Sequence, residues 1–220
     1  MKIWKSFYSF DYPWDVVTRA ACRKYPNPHN PSVLSTDIID RQVVDGVLYS
    51  HKLVSSNWIF PDFATALVGP TNICYGSEKS EVDPVAKQMV VKTKNITFPR
   101  YVDVRESLKY VPDPEDPNKT LLVQEATISI EGLPFTDYME NRLMKTMANT
   151  ANKGREAIEW IIQRMDNDLK ESSSNMKPAT DDLLHHTKHQ LQDLTEKTKR
   201  TMDDIQNTAF QNLNTPGAAQ

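Results

Sequence analysis

CRKYPNPHNPSVL, residues 22–34, is where an amphipathic helix gives way to a proline-stiffened corner and then to a strand. Pro26, Pro28 and Pro31 each hold φ near about −65° and bias the residue before them to extended geometry, so the segment is a rigid spacer. It carries two cations, Arg23 and Lys24, at the last turn of the helix. Two readings fit Lys24. It neutralises the helix dipole in solvent, or the rigid corner seats it as a charged head-group site at the end of an apolar cavity.

Upstream, KIWKSFYSF (residues 2–10) alternates Ile3, Phe7 and Ser9 with Trp4, Tyr8 and Phe10, which predicts a strand with both sides largely covered. Asp11 and Pro13 then open a helix whose Val16, Val17, Ala20 and Ala21 recur at helical spacing until the corner stops it after Tyr25. Downstream, VLSTDIIDRQVV and VLYSHKLVSS flank Asp45-Gly46, the two-residue signature of a hairpin turn. Trp58, Ile59, Phe60 and Phe63 cluster around Pro61 as either a core plug or an exposed apolar lid. Strands are expected at 72–82, 86–98 and 101–111, and TLLVQEATISIEG supplies the last, making about seven antiparallel neighbours.

Beyond Gly132-Leu133-Pro134 a long helix is expected to about Leu169, with Met139, Leu143, Met147, Ala151, Ile158, Ile161, Met165 and Leu169 on one stripe. The reading is therefore α+β: a seven-stranded curved antiparallel sheet wrapped on a long C-terminal helix, with Met139, Leu143 and Met147 lining an enclosed cavity. A solid interior capped by the helix is the plainer alternative. After residue 170 the composition changes, and ESSSNMKPATDD is expected to be a flexible linker. Residues 171–220 then form a charged, partly helical or disordered tail.

Twenty-six basic against 29 acidic residues leave a net charge of −3, so no nucleic-acid partner is expected. No apolar run reaches the ~20 residues of a membrane span, and the N-terminal stretch has no signal-peptide core. Cys22 and Cys74 are expected to be buried free thiols, with pairing left open. The sequons at Asn95 and Asn118 read as chance. Nothing matches a nucleophile elbow, a phosphate-binding loop or a catalytic triad, so the chain is expected not to be an enzyme and to need no cofactor. His185, His186 and His189 include an i, i+4 pair, too weak a pattern to assign a metal. The acid pairs Glu78/Glu81, Glu115/Asp116 and Asp203/Asp204 are expected at turns or on solvated faces, none of them set against an apolar pocket.

MKIW, PWDVVTRAACRKYPNPHNPSVL, SHKL, VDPVAK, NITF, LKYVPDPEDPNKTLLVQEATI and NKGREAIEWII occur in this order between residues 1 and 170. Together they resemble the PRELI/MSF family, in its slowmo branch. The resemblance implies a lipid-transfer domain over 1–170 with a helix-grip fold like that of START and phosphatidylinositol-transfer proteins. It implies a protein of the mitochondrial intermembrane space, peripheral on membranes, that shuttles one phospholipid between the outer and inner membranes. Phosphatidylserine is the expected cargo and phosphatidic acid the alternative. It also implies a heterodimer with a small helical protein bearing twin cysteine motifs. Carried over by position, Lys24, Lys52 and Lys153 are the head-group cations, and Ser56 to Val68 is a membrane-touching lid. Lysines of the lid in some relatives are replaced here by Ser56 and Ile59, which favours apolar insertion through Trp58, Ile59, Phe60 and Phe63. An adaptor that recruits partners through its tail is the reading left beside transfer.

Overall fold

The computed structural model of the chain describes residues 1–58, 72–132 and 135–213; beyond residue 170, side chains are described only at 187, 188, 190–192 and 194–199. The chain divides into two compact units, Met1–Met165 and Asp166–Gln220.

The first unit holds strand β1 (Lys2–Phe10), helix α1 (Trp14–Cys22) and strands β2 (Val33–Val44), β3 (Val47–Asn57), β4 (Ile73–Asp83), β5 (Gln88–Asn95), β6 (Val102–Pro112) and β7 (Thr120–Ile130). Helix α2 (Thr136–Leu213) follows. The strands form one seven-stranded antiparallel sheet in the order β1-β7-β6-β5-β4-β3-β2. Six strands thus run as a meander, and β1 closes the far side by pairing with β7 along its whole length. The β2–β3 turn is the expected two-residue loop: Val44 pairs with Val47, and Asp45 and Gly46 take φ of 50° and 82°. A type I′ turn needs positive φ at both central positions and matches the twist of the strands it joins.

One face of the sheet carries the core. In β7, buried residues alternate with partly buried or exposed ones from Thr120 to Ile130, and the inward set packs in two clusters. Phe10, Trp14, Val17, Ala20, Leu108, Tyr110 and Leu122 meet Ile158 and Ile162 of α2. Val102, Val104, Ile128 and Ile130 meet Met139, with Leu143, Met144 and Met147 packed alongside. The apolar stripe of α2 therefore faces the sheet at both ends and leaves space between them.

Three expectations are corrected here. β1 is not covered on both sides: Ile3 and Phe7 are 69% and 62% exposed, because the helices pack on the opposite face. Helix α1 ends at Cys22 rather than after Tyr25. The Arg23 amide closes the last turn on the Ala20 carbonyl, and Tyr25, preceding a proline, is pushed out of the helical region. The break expected at 171–182 is absent, since α2 runs through to Leu213. Once nucleated, a helix propagates through serine and asparagine at a few tenths of a kcal/mol per residue, and Pro178 alone opposes it strongly. The apolar stripe of the first unit stops at Met165; Leu169 is exposed.

Asn95 is 6% exposed. Its amide donates to the Thr97 and Val102 carbonyls and its Oδ1 accepts the Val104 amide, so this sequon serves the β5–β6 turn.

Candidate functional site: a polar-floored cavity

The corner at residues 23–32 is fastened on both sides. Asn27 donates to the Ala157 carbonyl of α2 at 3.3 Å, its Oδ1 accepts the His29 amide, and Asn30, fully buried, donates to the Tyr25 hydroxyl at 2.9 Å. Ser32 donates to Asn30 Oδ1, and His29 lies 3.7 Å from Glu156. The prolines preset the path and these contacts fix it against α2. Lys24, which precedes that anchored segment, is held toward the interior.

There it enters a cavity of about 500 Å³ between the inner face of the sheet and α2, within the size range of pockets that bury small ligands. Its walls are largely apolar: Val54, Trp58, Val102, Val104, Leu108 and Leu122, with Met139, Leu143, Met147 and Ile158 from α2. The charged lining is Lys24, Glu78, Glu106, Arg142, Lys153 and Arg155. Lys24 has no carboxylate within 4 Å among the described residues, and its ammonium lies 5.1 Å from the Tyr25 ring centre. Part of its surface is accessible, and it lines the cavity.

Burial pulls Lys24 toward losing its proton, yet Tyr110, Tyr25, Glu78 and Glu106 outweigh burial and raise its pKa above the ordinary lysine value. The two tyrosines act as anions only when ionised, and burial raises the Tyr110 pKa. At neutral pH the field that keeps Lys24 charged is therefore that of Glu78 and Glu106.

The carboxylates come from one cross-strand row. Lys52 stands opposite Glu78, Glu78 opposite Thr93, Thr93 opposite Glu106 and Glu106 opposite Ala126. Lys52 Nζ lies 3.2 Å from Glu78 Oε1, with side chains only 11% and 15% exposed. Lys52 thus sits behind the lining as the counter-ion of Glu78, whereas Lys24 and Lys153 reach the cavity itself. Glu106 accepts a hydrogen bond from Gln124 Nε2 at 2.7 Å. Burial raises its pKa above the ordinary carboxylate value, and Gln124 and Lys24 offset only part of that rise. The reading of Glu78 as a solvated turn residue is thereby overturned: it points inward from mid-strand. The expectation that none of the acid pairs is set against an apolar pocket is overturned for Glu78; Glu81 is exposed.

Arg155 and Glu106 are cavity residues that sequence patterns do not mark. Arg155 Nη2 donates to Ser6 at 2.6 Å and its guanidinium lies 4.7 Å from the Tyr8 ring centre, while its Nε is buried without a partner among the described residues. The KGREA motif places Arg155 two residues after Lys153, and that adjacency is its only sequence signal. Cys22 and Cys74 are free. Burial raises both thiols, Cys74 to about 11, so neither is an activated nucleophile at neutral pH.

Trp58 belongs to the cavity wall. It packs against the Val102/Ile128 cluster, its indole N–H donates to Ser56 Oγ at 3.0 Å, and its amide donates to the Asn72 carbonyl. Ile59, Phe60 and Phe63 lie outside the described residues, as do the side chains of His185, His186 and His189. Trp58→Ser is expected to cost about 1–3 kcal/mol in urea unfolding, a half-buried fraction of the usual loss for a truncated core tryptophan. Unchanged stability together with lost flotation on vesicles would instead assign Trp58 to a membrane-contacting lid.

The family model described as PRELI-like matches residues 15–168, spanning the corner, the sheet and the cavity-lining part of α2. The chain belongs to the PRELI-like family. Among PRELI-like relatives, it is 30% identical over 214 residues to Protein UPS2, mitochondrial, of Saccharomyces cerevisiae, covering 95% of this chain and 87% of that protein. It is 33% identical over 170 residues to the UPS-like protein C36.10 of Schizosaccharomyces pombe, covering 75% and 91%. It is 30% identical over 200 residues to the slowmo homolog of Dictyostelium discoideum, covering 90% and 86%. The PRELI-like fold is shared with solved structures of low identity. TTHA0849 of Thermus thermophilus aligns with a TM-score of 0.53 at 14% identity, over 74% of this chain and 99% of that one. The Zhui aromatase/cyclase of Streptomyces sp. R1128 aligns at 0.50 and 13%, over 74% and 94%.

Proposed function

We propose that this PRELI-like protein carries one phospholipid at a time between membranes, with the head group at Lys24 and acyl chain against the apolar wall, and that it catalyses no reaction. The observation that carries this is Lys24 itself: a cation inside an apolar cavity, with no carboxylate within 4 Å among the described residues. A buried cation without a bonded partner is costly, and a ligand phosphate supplies that partner. Lys153 and Arg155 on α2 line the same cavity and add positive field.

Two long acyl chains hold a lipid in its bilayer by roughly 25 kcal/mol, at about 0.8 kcal/mol per CH₂. A dry apolar cavity replaces that environment nearly evenly, and the methionines of α2 adapt to chains of differing shape. Transfer then needs no tight binding. The mitochondrial name of the yeast relative supports a mitochondrial setting, and no helix of the described residues is long and apolar enough to cross a membrane. The finer reading is an intermembrane-space protein, peripheral on membranes, that moves phosphatidylserine, with phosphatidic acid the alternative cargo. Its partner in this reading is a small helical twin-cysteine protein.

The test is transfer of labelled phosphatidylserine and phosphatidic acid between donor and acceptor liposomes with that partner present. Phosphatidylserine movement is the expected result. Movement of phosphatidic acid alone changes the cargo, and movement of neither rejects transfer in favour of an adaptor role.

A further inference from the structure

The outer face of the sheet, turned away from the cavity, carries cations in two adjacent cross-strand rows. In the first, Ser77 stands opposite Lys94, Lys94 opposite Arg105 and Arg105 opposite Thr127, and the row ends at Ile3. In the second, Lys79 stands opposite Lys92 and Lys92 opposite Ser107. All four cations are exposed, whereas Val91, Asn95 and Val104, which alternate with them along β5 and β6, are buried. Like charges directly opposite each other destabilise an antiparallel pair, and here two such pairs lie side by side. The nearby carboxylates do little to relieve them. Asp103 is taken by Arg105 at 2.9 Å and Glu125 by Lys5, while Lys79, Lys92 and Lys94 have no carboxylate within 4 Å among the described residues. On a chain of net charge −3, this basic patch is local.

Lys94, Arg100 and Arg105 also line a groove of about 600 Å³ with Tyr101, Thr127 and Ser129; its acids are Asp103 and Glu131. The groove lies at the end of the sheet where β5 passes into β6 and β7 toward α2. Exposed apolar side chains stand near this patch: Ile96 at 48%, Tyr75 at 43% and, at the close of the Lys94 row, Ile3 at 69%. We infer that this outer face docks on an anionic bilayer, whose lipid phosphates fill the space between the facing cations. The repulsion within the rows is relieved when anions arrive from outside, and each basic residue near an anionic surface then contributes to binding. A sheet face suits a bilayer because its cations, about 5 Å apart across strands and about 7 Å apart along them, meet several phosphates at once. Ile3, Tyr75 and Ile96 supply the apolar contact that lets a surface settle into the head-group layer. The lipids met here are the platform and not the cargo, since the groove and the cavity lie on opposite faces of the sheet. Docking by this face is independent of which lipid the cavity carries.

The test is flotation of the full chain with vesicles of phosphatidylcholine alone or with phosphatidylglycerol added, an anionic lipid that is neither proposed cargo. The wild type is expected to float with the anionic vesicles and not with the neutral ones, and its affinity to fall steeply as salt is added. Lys92→Gln/Lys94→Gln is expected to weaken binding at least about tenfold, at roughly fivefold for each basic residue lost from a bilayer contact. Both side chains are exposed, and with the facing repulsion gone the variant is expected to melt no lower than wild type. Lys87→Gln/Lys119→Gln removes the same charge from the opposite end of the sheet and is expected to bind as wild type does. Equal loss in both double variants reduces the effect to net charge and overturns the assignment of the face. Undiminished flotation of Lys92→Gln/Lys94→Gln overturns it as well. Displacement of the wild type from vesicles by millimolar inorganic phosphate at fixed ionic strength would make the groove a site for a soluble anion, not for a bilayer. A wild type that floats with neither vesicle overturns docking by this face, whatever the transfer assay shows.

Discussion

Lys24→Met is expected to reduce phospholipid transfer by about 10- to 100-fold, the loss of one hydrogen-bonded charge pair worth about 1.5–3 kcal/mol. The protein should stay folded, with a melting temperature within about 4 °C of wild type. The two halves of this expectation have different origins. Stability changes little because opposing terms are removed together: the cost of keeping an ammonium in an apolar cavity, and its attraction to Glu78 and Glu106, neither of which it touches. Transfer changes greatly because the corner holds Lys24 in place through Asn27 and Asn30, so no neighbouring cation can move in to replace it. Lys153 lines the same cavity but is exposed on α2, and Arg155 is committed to Ser6 and Tyr8. Lys24→Glu is the harsher variant, placing a third carboxylate beside Glu78 and Glu106. Lipid transfer at the wild-type rate by folded Lys24→Met, measured with labelled phosphatidylserine liposomes, would remove Lys24 from the head-group site.

Lys24 also marks the border of what local sequence conveys. The corner, the Asp45-Gly46 hairpin and the alternation of β7 are written in nearest-neighbour chemistry, and each lies where that chemistry puts it. The stripe of α2 from Met139 to Met165 is legible for the same reason. β1 is not, because its apolar residues fall on both faces and only the completed sheet decides which face the helices cover; Ile3 and Phe7 are left outside. Glu78 and Glu106 are harder still. Within their own strands they alternate with serine, lysine and arginine, as solvated residues do. Their inward direction follows from a register running through five strands, from Lys52 to Ala126. The polar floor is thus a property of the pairing, while the apolar walls are a property of each element.

That register carries the second large expectation. Lys52→Met should destabilise the protein by about 3–5 kcal/mol, the usual result of removing one partner from a buried ion pair. Glu78 is then left 15% exposed with no bonded cation, and Lys24, close enough to feel its charge but outside 4 Å, offsets only part of the loss. Lys52→Met/Glu78→Leu should recover most of the stability, because two apolar side chains of similar volume carry no desolvation cost and pack across the β3–β4 pair as readily as the ions do. A double-mutant cycle by urea unfolding separates these terms. A single variant that loses less than about 1 kcal/mol would mean that water reaches the pair in solution. In that case Glu78 would not be neutralised from behind, and the cavity would present two free carboxylates to the head group instead of one.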